Sequence, residues 1–522
     1  MGIATMRGRV SAFLRVSSVA AALSAFLLAG GCGEKELPDI FAGTAGGIGG
    51  PVQAAQGAAA GDVSKSALNP GTRFTPKTLG LQPGGTIGEL RFNWFSGNKD
   101  DSSQTFVRVF EGDALVASAE GRSGVTAAEN YRYHKAEVSG LKPNTVYTYW
   151  VSNNGVDWSE EYTYKSPPAS GSFKFAAMGD VQYDNGDDIG MWQNIAKRIG
   201  DAGTSLIVNS GDHVEYCNSS SVPPNSVGGE VAYLQYFSPP ELRKIPTAPV
   251  MGNHDMCKNF DEHFNLPNRV EGGEKPSSQS GTNYNFSNYY FLHNKVLFVG
   301  LNTSPTPSES NAAEYVSDYR ATIKKAKSEN LGKYDFLVVT HHKSTTSISV
   351  GGHVTDKEIG YYVAAGLQKL MTEEGVNLVI TGHDHIYVRS QFMVDDEPVE
   401  EGTIGATLYL TLKPGGQTRN YNASNGGDVG FDETKRAPYV DKYPFIIQPY
   451  ERIVPDNTNY FLPRSHKTHS YYDGTHAGYT IIEVAYGKMT IEVHEYDGTV
   501  FETINLERKS IGITASGKLY KL

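Results

Sequence analysis

One pattern recurs five times in this chain. An apolar run stops abruptly, and a short loop of Asp, Asn, Gln or His follows. The clearest case is Asn377-Leu378-Val379-Ile380-Thr381-Gly382-His383-Asp384-His385. The apolar part reads as a buried strand, and Gly382 as the point where the chain leaves the sheet. His383 and His385, two residues apart, can each offer an imidazole nitrogen to a metal. The other four loops are Gly179-Asp180-Val181-Gln182, Gly211-Asp212-His213, Gly252-Asn253-His254-Asp255 and Thr340-His341-His342. Any one of them has a bland explanation, since Gly-Asp and Gly-Asn commonly cap turns. Five together ask for a sheet that gathers its strand ends in one place. In α/β construction, sites form outside the carboxyl ends of the strands.

The segments between the loops fit that architecture. Phe173 to Met178, Thr204 to Asn209, Tyr289 to Leu301, Tyr334 to Thr340 and Val376 to Thr381 read as strands. Pro246 to Met251 is a poorer strand because of its prolines. Asp187 to Ala202 carries Ile189, Trp192, Ile195, Ala196 and Ile199 near helical spacing, and Ala312 to Asn330 and Gly360 to Glu374 also read as helices. After Ile386 strands return (Thr407 to Leu412, Tyr479 to Val484, Lys488 to Glu495), with long loops expected from Lys413 to Gly478. Ahead of all this, residues 72–165 show short alternating runs separated by turn residues, the pattern of a β-sandwich.

Ligand chemistry narrows the reading. Oxygen and imidazole donors without thiolates suit Mn, Fe or Zn. Two such ions about 3.5–4 Å apart can hold both the attacking and the leaving oxygen of a phosphoryl displacement. The 57 acidic and 46 basic residues give a net charge of −11, which argues against nucleic-acid binding.

The N-terminus reads as a targeting segment. Arg7, Arg9 and Arg15 precede the mostly apolar Val16 to Leu28, and small residues lead to Cys32. The run resembles a bacterial lipoprotein signal with Cys32 as the lipidated residue, although Ala29 stands where such signals prefer leucine. The expectation is an exported protein held to a membrane by a lipid anchor, periplasmic or at the cell surface, with plain secretion as the other possibility. Cys217 and Cys257 then invite a disulfide.

The order and spacing of the five loops resemble the calcineurin-like metallophosphoesterase superfamily over about Phe173 to Arg389. Tyr133-His134-Lys135-Ala136 and Gly140-Leu141-Lys142-Pro143-Asn144-Thr145-Val146-Tyr147-Thr148-Tyr149 are similar to the fibronectin-type sandwich ahead of purple acid phosphatase catalytic domains. The resemblance implies an α/β four-layer sandwich, two mixed β-sheets flanked by helices, behind an all-β sandwich. Its divisions are a signal at 1–32, a linker at 33–71, the fibronectin-like sandwich at 72–165, the phosphoesterase domain at 172–508 and a tail at 509–522. It implies two divalent or mixed-valence ions (Fe, Mn or Zn). Asp180 and His385 would hold the first, Asp212 would bridge, and Asn253, His341 and His383 would hold the second. His341 is preferred over its neighbour His342 because relatives use the first histidine after the strand. His254 would act at the attacked phosphate or leaving group, with Asp255 orienting it. Asn253 and His254 would contact substrate, and His353 either contacts substrate or is solvated.

Two departures from the family pattern matter. Purple acid phosphatases carry an iron-binding tyrosine three residues after the bridging aspartate. Here Glu215 holds that place and Tyr216 follows. Gln182 replaces a histidine common in phosphodiesterase relatives, and as a ligand it resembles the Mn-dependent diphosphatase branch. The implied activity is hydrolysis of phosphate monoesters by attack of a metal-bound hydroxide. A phosphodiesterase or nucleotide pyrophosphatase is the alternative, and an inactive surface binding module is a more distant one.

Overall fold

The computed structural model describes residues 64–68, 73–183, 189–215, 227–270, 288–346, 357–385, 387–394, 397–399, 403, 405–416 and 477–507. The signal segment with Cys32, and also Cys217 and His353, lie outside the described residues.

The first strands are β1 (Leu79–Pro83), β2 (Leu90–Ser96), β3 (Phe106–Glu111), β4 (Ala114–Glu120), β5 (Arg122–Val125), β6 (Arg132–Val138), β7 (Val146–Ser152) and β8 (Tyr162–Lys165). They form two antiparallel sheets of order β1-β2-β6-β5 and β4-β3-β7-β8. Period-two alternation sends Leu79, Leu81, Phe92, Trp94, Val107, Val109, Tyr147 and Tyr149 into the space between them.

The second part holds β9 (Phe173–Met178), α1 (Gly190–Asp201), β10 (Ile207–Asn209), α2 (Val227–Tyr236), β11 (Thr247–Pro249), α3 (Lys258–His263), β12 (Tyr289–His293), β13 (Val296–Leu301), α4 (Ala312–Glu329), β14 (Phe336–Lys343), α5 (Lys357–Ala364), α6 (Leu367–Glu373), β15 (Leu378–Gly382), β16 (Val388–Val394), β17 (Glu397–Val399), β18 (Thr407–Thr411), β19 (Gly478–Ala485), β20 (Lys488–Glu495) and β21 (Val500–Glu507). One sheet runs β11-β10-β9-β19-β20-β21 and the other β12-β13-β14-β15-β18-β16-β17. Both are mixed: β9, β10 and β11 are parallel, as are β13, β14, β15 and β18, and antiparallel strands complete each sheet.

Strand parity divides the apolar residues between two cores. Phe336 and Val338 of β14, Val296 and Phe298 of β13, and Leu378 and Ile380 of β15 join the core between the sheets. Their neighbours Leu337, Val339, Leu297, Val299 and Val379 pack against α4 and α6 through Val316, Tyr319, Ile323, Leu367 and Leu370. A strand buried on both faces needs the continuous apolar runs seen in the sequence.

Two expectations change. The helix foreseen from Gly360 to Glu374 is two helices, because Gly366 sits between them at φ 88°, a left-handed conformation that ends α5 and starts α6. The strand foreseen to end at Thr340 continues to Lys343. Helices α2 and α3 have no counterpart in the sequence reading. Among the described residues no helix is long and apolar enough to cross a membrane.

Candidate metal centre

The ends of β9, β10 and β11 bring Asp180, Gln182, Asp212 and Asn253 to one edge of the six-stranded sheet. From the other sheet come His342 within β14 and His383 and His385 just past β15. Backbone contacts lock the loops together. The Asp180 N–H donates to Gly211 O at 2.9 Å, and the Gln182 N–H to Asp212 O at 3.2 Å. The His383 N–H donates to Asp180 Oδ1 at 2.9 Å and so ties one sheet to the other.

The backbone is bent to do this. Asp180 (φ 53°), Gln182 (45°), Asp212 (53°), His383 (75°) and His385 (54°) all lie in the left-handed region. Non-glycine residues avoid that region, and such strain concentrates at functional sites. Close approach also explains two glycines. A Cβ at Gly252 would stand 2.0 Å from Asp212 Oδ1, and one at Gly382 would stand 2.5 Å from Asp180 Oδ2.

The donor atoms converge on His342 Nε2. It lies 3.0 Å from Asn253 Oδ1, 3.1 Å from Asp212 Oδ2 and 3.1 Å from His383 Nδ1. Its Nδ1–H donates to Ser210 O at 2.9 Å, so Nε2 turns its lone pair inward. A lone pair facing a carboxylate oxygen, an amide oxygen and another imidazole nitrogen needs a cation among them. Ligand atoms about 3.0 Å apart are the edge length of a six-coordinate site with ~2.1 Å bonds. Asp212, His342 and His383 are all buried and hold ligand atoms within 4.8 Å of one another. Burial alone would lower the pKa of His342, yet the facing Asp212 carboxylate outweighs it and lifts it to about 9, so in the absence of an ion a proton on Nε2 fills the place that a metal would take by displacing it. Burial would likewise raise Asp212, yet His342 and His254 hold it well below its ordinary value. The residues present therefore fit a divalent ion.

Around this cluster, His385 Nε2 is 3.8 Å from Asp180 Oδ1. Asp212 stands between the two groups: Oδ2 accepts from Gln182 Nε2 at 2.9 Å and Oδ1 from the His254 N–H at 2.8 Å. The Gln182 Oε1 is buried with no hydrogen-bond partner among the described residues. Asn253 and His254 are the partly exposed members, so the site opens on their side.

Two expectations need correction. His342, not His341, enters the cluster. Both histidines belong to β14 rather than to a loop after it, and the pairing of β14 with β15 shifts register between Thr340 and Lys343, so regular alternation does not decide which of them turns inward. His341 instead uses Nδ1 to donate to Lys343 O at 3.0 Å, and burial lowers its pKa to about 4. Nor does Asp255 orient His254. Its two oxygens accept from the Gly252 N–H (2.9 Å), the His213 N–H (3.1 and 3.3 Å), His213 Nδ1 (2.8 Å) and the Tyr233 hydroxyl (3.0 Å). His254 Nδ1 is held by the Glu215 carbonyl. Cys257 is disulfide-bonded.

Comparison with known proteins points to the same family as the sequence motifs. Residues 173–387 match the calcineurin-like phosphoesterase family model, and 76–166 match the purple acid phosphatase N-terminal domain model. Purple acid phosphatase 21 of Arabidopsis thaliana is 24% identical over 290 residues, covering 55% of this chain and 58% of that protein. Acid phosphatase type 7 of Danio rerio is 21% identical over 357 residues, covering 60% of this chain and 71% of the relative. The chain thus spans less than two thirds of the plant relative's length. Purple acid phosphatase PPD1 from yellow lupin (Lupinus luteus) seeds shares the fold, with a TM-score of 0.56 at 15% identity over 84% of this chain and 75% of that one.

Proposed function

This chain carries a calcineurin-like phosphoesterase domain behind a purple acid phosphatase N-terminal domain, and we propose that it is an exported, dinuclear metal-dependent hydrolase of phosphate monoesters. The observation that carries the reading is the meeting of Asn253, Asp212 and His383 at the inward lone pair of His342. Asp212, Asn253, His342 and His383 would hold one ion, and Asp180, Gln182, Asp212 and His385 the other. Bound ions would supply Lewis-acid activation of water and of the phosphoryl oxygens.

The chain's own groups do the rest. Asn253 and His254 stand at the open side, where an ester must approach. Burial draws the His254 pKa down, but Asp212 and Glu215 outweigh it and raise it above its ordinary value. A protonated His254 can donate to a phosphoryl or leaving oxygen. The buried walls exclude water elsewhere and strengthen each electrostatic contact. The disulfide at Cys257 supports an oxidising compartment, in keeping with export. A membrane anchor at Cys32 belongs to the same proposal.

Gln182 favours a second reading. A neutral amide at this place, with a buried Oε1 that meets no donor among the described residues, suits a diesterase or nucleotide pyrophosphatase. Metal content measured together with hydrolysis of one chromogenic monoester and one diester separates the two, and Asp212→Asn tests the site. Two ions per chain and monoester turnover that vanishes in the variant support the proposal. No metal uptake and no hydrolysis after Mn, Fe or Zn is supplied overturns it.

A further inference from the structure

Asp255 sits at a junction. Its Oδ2 accepts from the N–H of Gly252, the residue before Asn253, and from His213, the residue after Asp212. One fully buried carboxylate therefore sets the spacing of two loops that carry ligand oxygens. A buried carboxylate keeps its place only while its hydrogen bonds are made. Three of its donors belong to those two loops. The fourth is the hydroxyl of Tyr233, on α2, at 3.0 Å from Oδ1. Burial and the facing carboxylate push the Tyr233 pKa well up, so its hydroxyl stays a donor.

Tyr233 is itself held by a stack of rings that begins in the N-terminal sandwich. Phe95 of β2 stacks on His263 with centroids 4.1 Å apart and planes 16° from parallel. His263 stacks on Tyr233 at 4.3 Å and 23°. His263 cannot drift, because its Nε2 bonds Glu230 Oε2 at 2.9 Å. The sandwich also grips the same segment by backbone. Asn93 Nδ2 donates to Glu262 O at 2.7 Å, and Lys135 Nζ to Phe264 O at 2.7 Å. Asn265 Nδ2 donates back to Ala136 O at 3.0 Å.

We infer that Tyr233 is a positioning residue for the metal centre, acting through Asp255, and that the sandwich domain holds it in place through Phe95 and His263. The inference rests on the metal-centre reading above. It gives the sandwich a role in the site without any sandwich residue touching an ion.

The test uses the full chain and two variants. Tyr233→Phe removes the hydroxyl and keeps the ring stack. Phe95→Leu disturbs the stack from the other domain. Mn2+ is titrated into metal-free wild type and variants, free Mn2+ is read by its electron paramagnetic resonance signal, and melting is recorded in parallel without metal. The expected result is Mn2+ binding weakened about five- to tenfold in Tyr233→Phe and about two- to threefold in Phe95→Leu. Monoester turnover should show kcat lowered with KM little changed. Wild-type affinity in both variants, whatever their melting points do, overturns this inference and leaves the proposed function standing. A wild type that takes up no Mn2+ overturns both. Should Tyr233→Phe fail to fold, Phe95→Leu still decides.

Discussion

Glu262 should make the domain junction less stable as pH rises, and Glu262→Gln should remove that dependence. The side chain is 8% exposed and lies where α3 meets the sandwich. One oxygen accepts the Ala127 N–H at 2.8 Å, and the other has no hydrogen-bond partner among the described residues. Burial, then the nearby Glu230, pushes its pKa from the ordinary 4.5 up to about 8, against the pull of the Ala127 N–H and Lys135. The folded state thus keeps its proton up to about pH 8, while the unfolded chain releases it near pH 4.5. Between those values the native state binds more protons, so stability is lost as pH rises. One proton corresponds to about 1.4 kcal/mol per pH unit, and the loss accumulates to roughly 2–4 kcal/mol by pH 8 once the opposing groups are allowed for. Glutamine reproduces the protonated shape and cannot ionise. The assay is urea unfolding at pH 5, 6, 7 and 8, followed by tryptophan fluorescence, since Trp94, Trp150 and Trp158 are all buried in the sandwich. The variant should match wild type near pH 5 and exceed it by about 2–4 kcal/mol at pH 8. Parallel wild-type and variant curves would refute the reasoning.

Four further outcomes are expected. His342→Ala should abolish tight binding of one metal ion and lower turnover by about 10³-fold or more, whereas His341→Ala should cost stability but leave metal stoichiometry intact, as elemental analysis will show. Gly252→Ala should cut metal affinity at least tenfold, because the new methyl group would collide with Asp212; calorimetric titration reads this directly. Lys135, pushed down to about 8 by burial, releases its proton earlier in the folded state than in the unfolded chain, so stability should climb from pH 8 toward 10.5, and Lys135→Met should flatten that limb in a urea series extended from pH 8 to 10.5. Cys32→Ser should release the protein from membranes in cell fractionation, and an unchanged membrane fraction would remove the anchor from the proposal.

The site was legible in the sequence where the chemistry sat in short loops. Asp180, Asp212, Asn253, His383 and His385 each follow a glycine or a strand end by one to three residues, so their spacing marked them as candidates and the family resemblance gave them roles. His342 was missed because the choice between adjacent histidines turns on where β14 stops, and strand ends are poorly written in sequence. Strand β14 runs on through Lys343 with a register shift after Thr340, and it is His342 that reaches Asp212 and Asn253. Gly366 lies inside the segment read as one helix, Gly360 to Glu374, since nothing local announces a left-handed φ. Tyr233 carried no motif at all. Its meaning depends on a carboxylate 22 positions away and on a phenylalanine in another domain. The sandwich, by contrast, was plain from alternation alone, because one buried face per strand forces a period of two.

The division of ligands between two sheets has a mechanical consequence. Asp180, Gln182, Asp212 and Asn253 ride on one sheet, and His342, His383 and His385 on the other. An ion held by both groups would act as a rivet through two plates that otherwise meet across greasy side chains and a few hydrogen bonds, such as those from the His383 N–H to Asp180 and from His342 Nδ1 to Ser210 O. Chelation should therefore loosen the plates against each other, and amide exchange should quicken along β10 and β15 together while β20 and β21, far along the first plate, keep their protection.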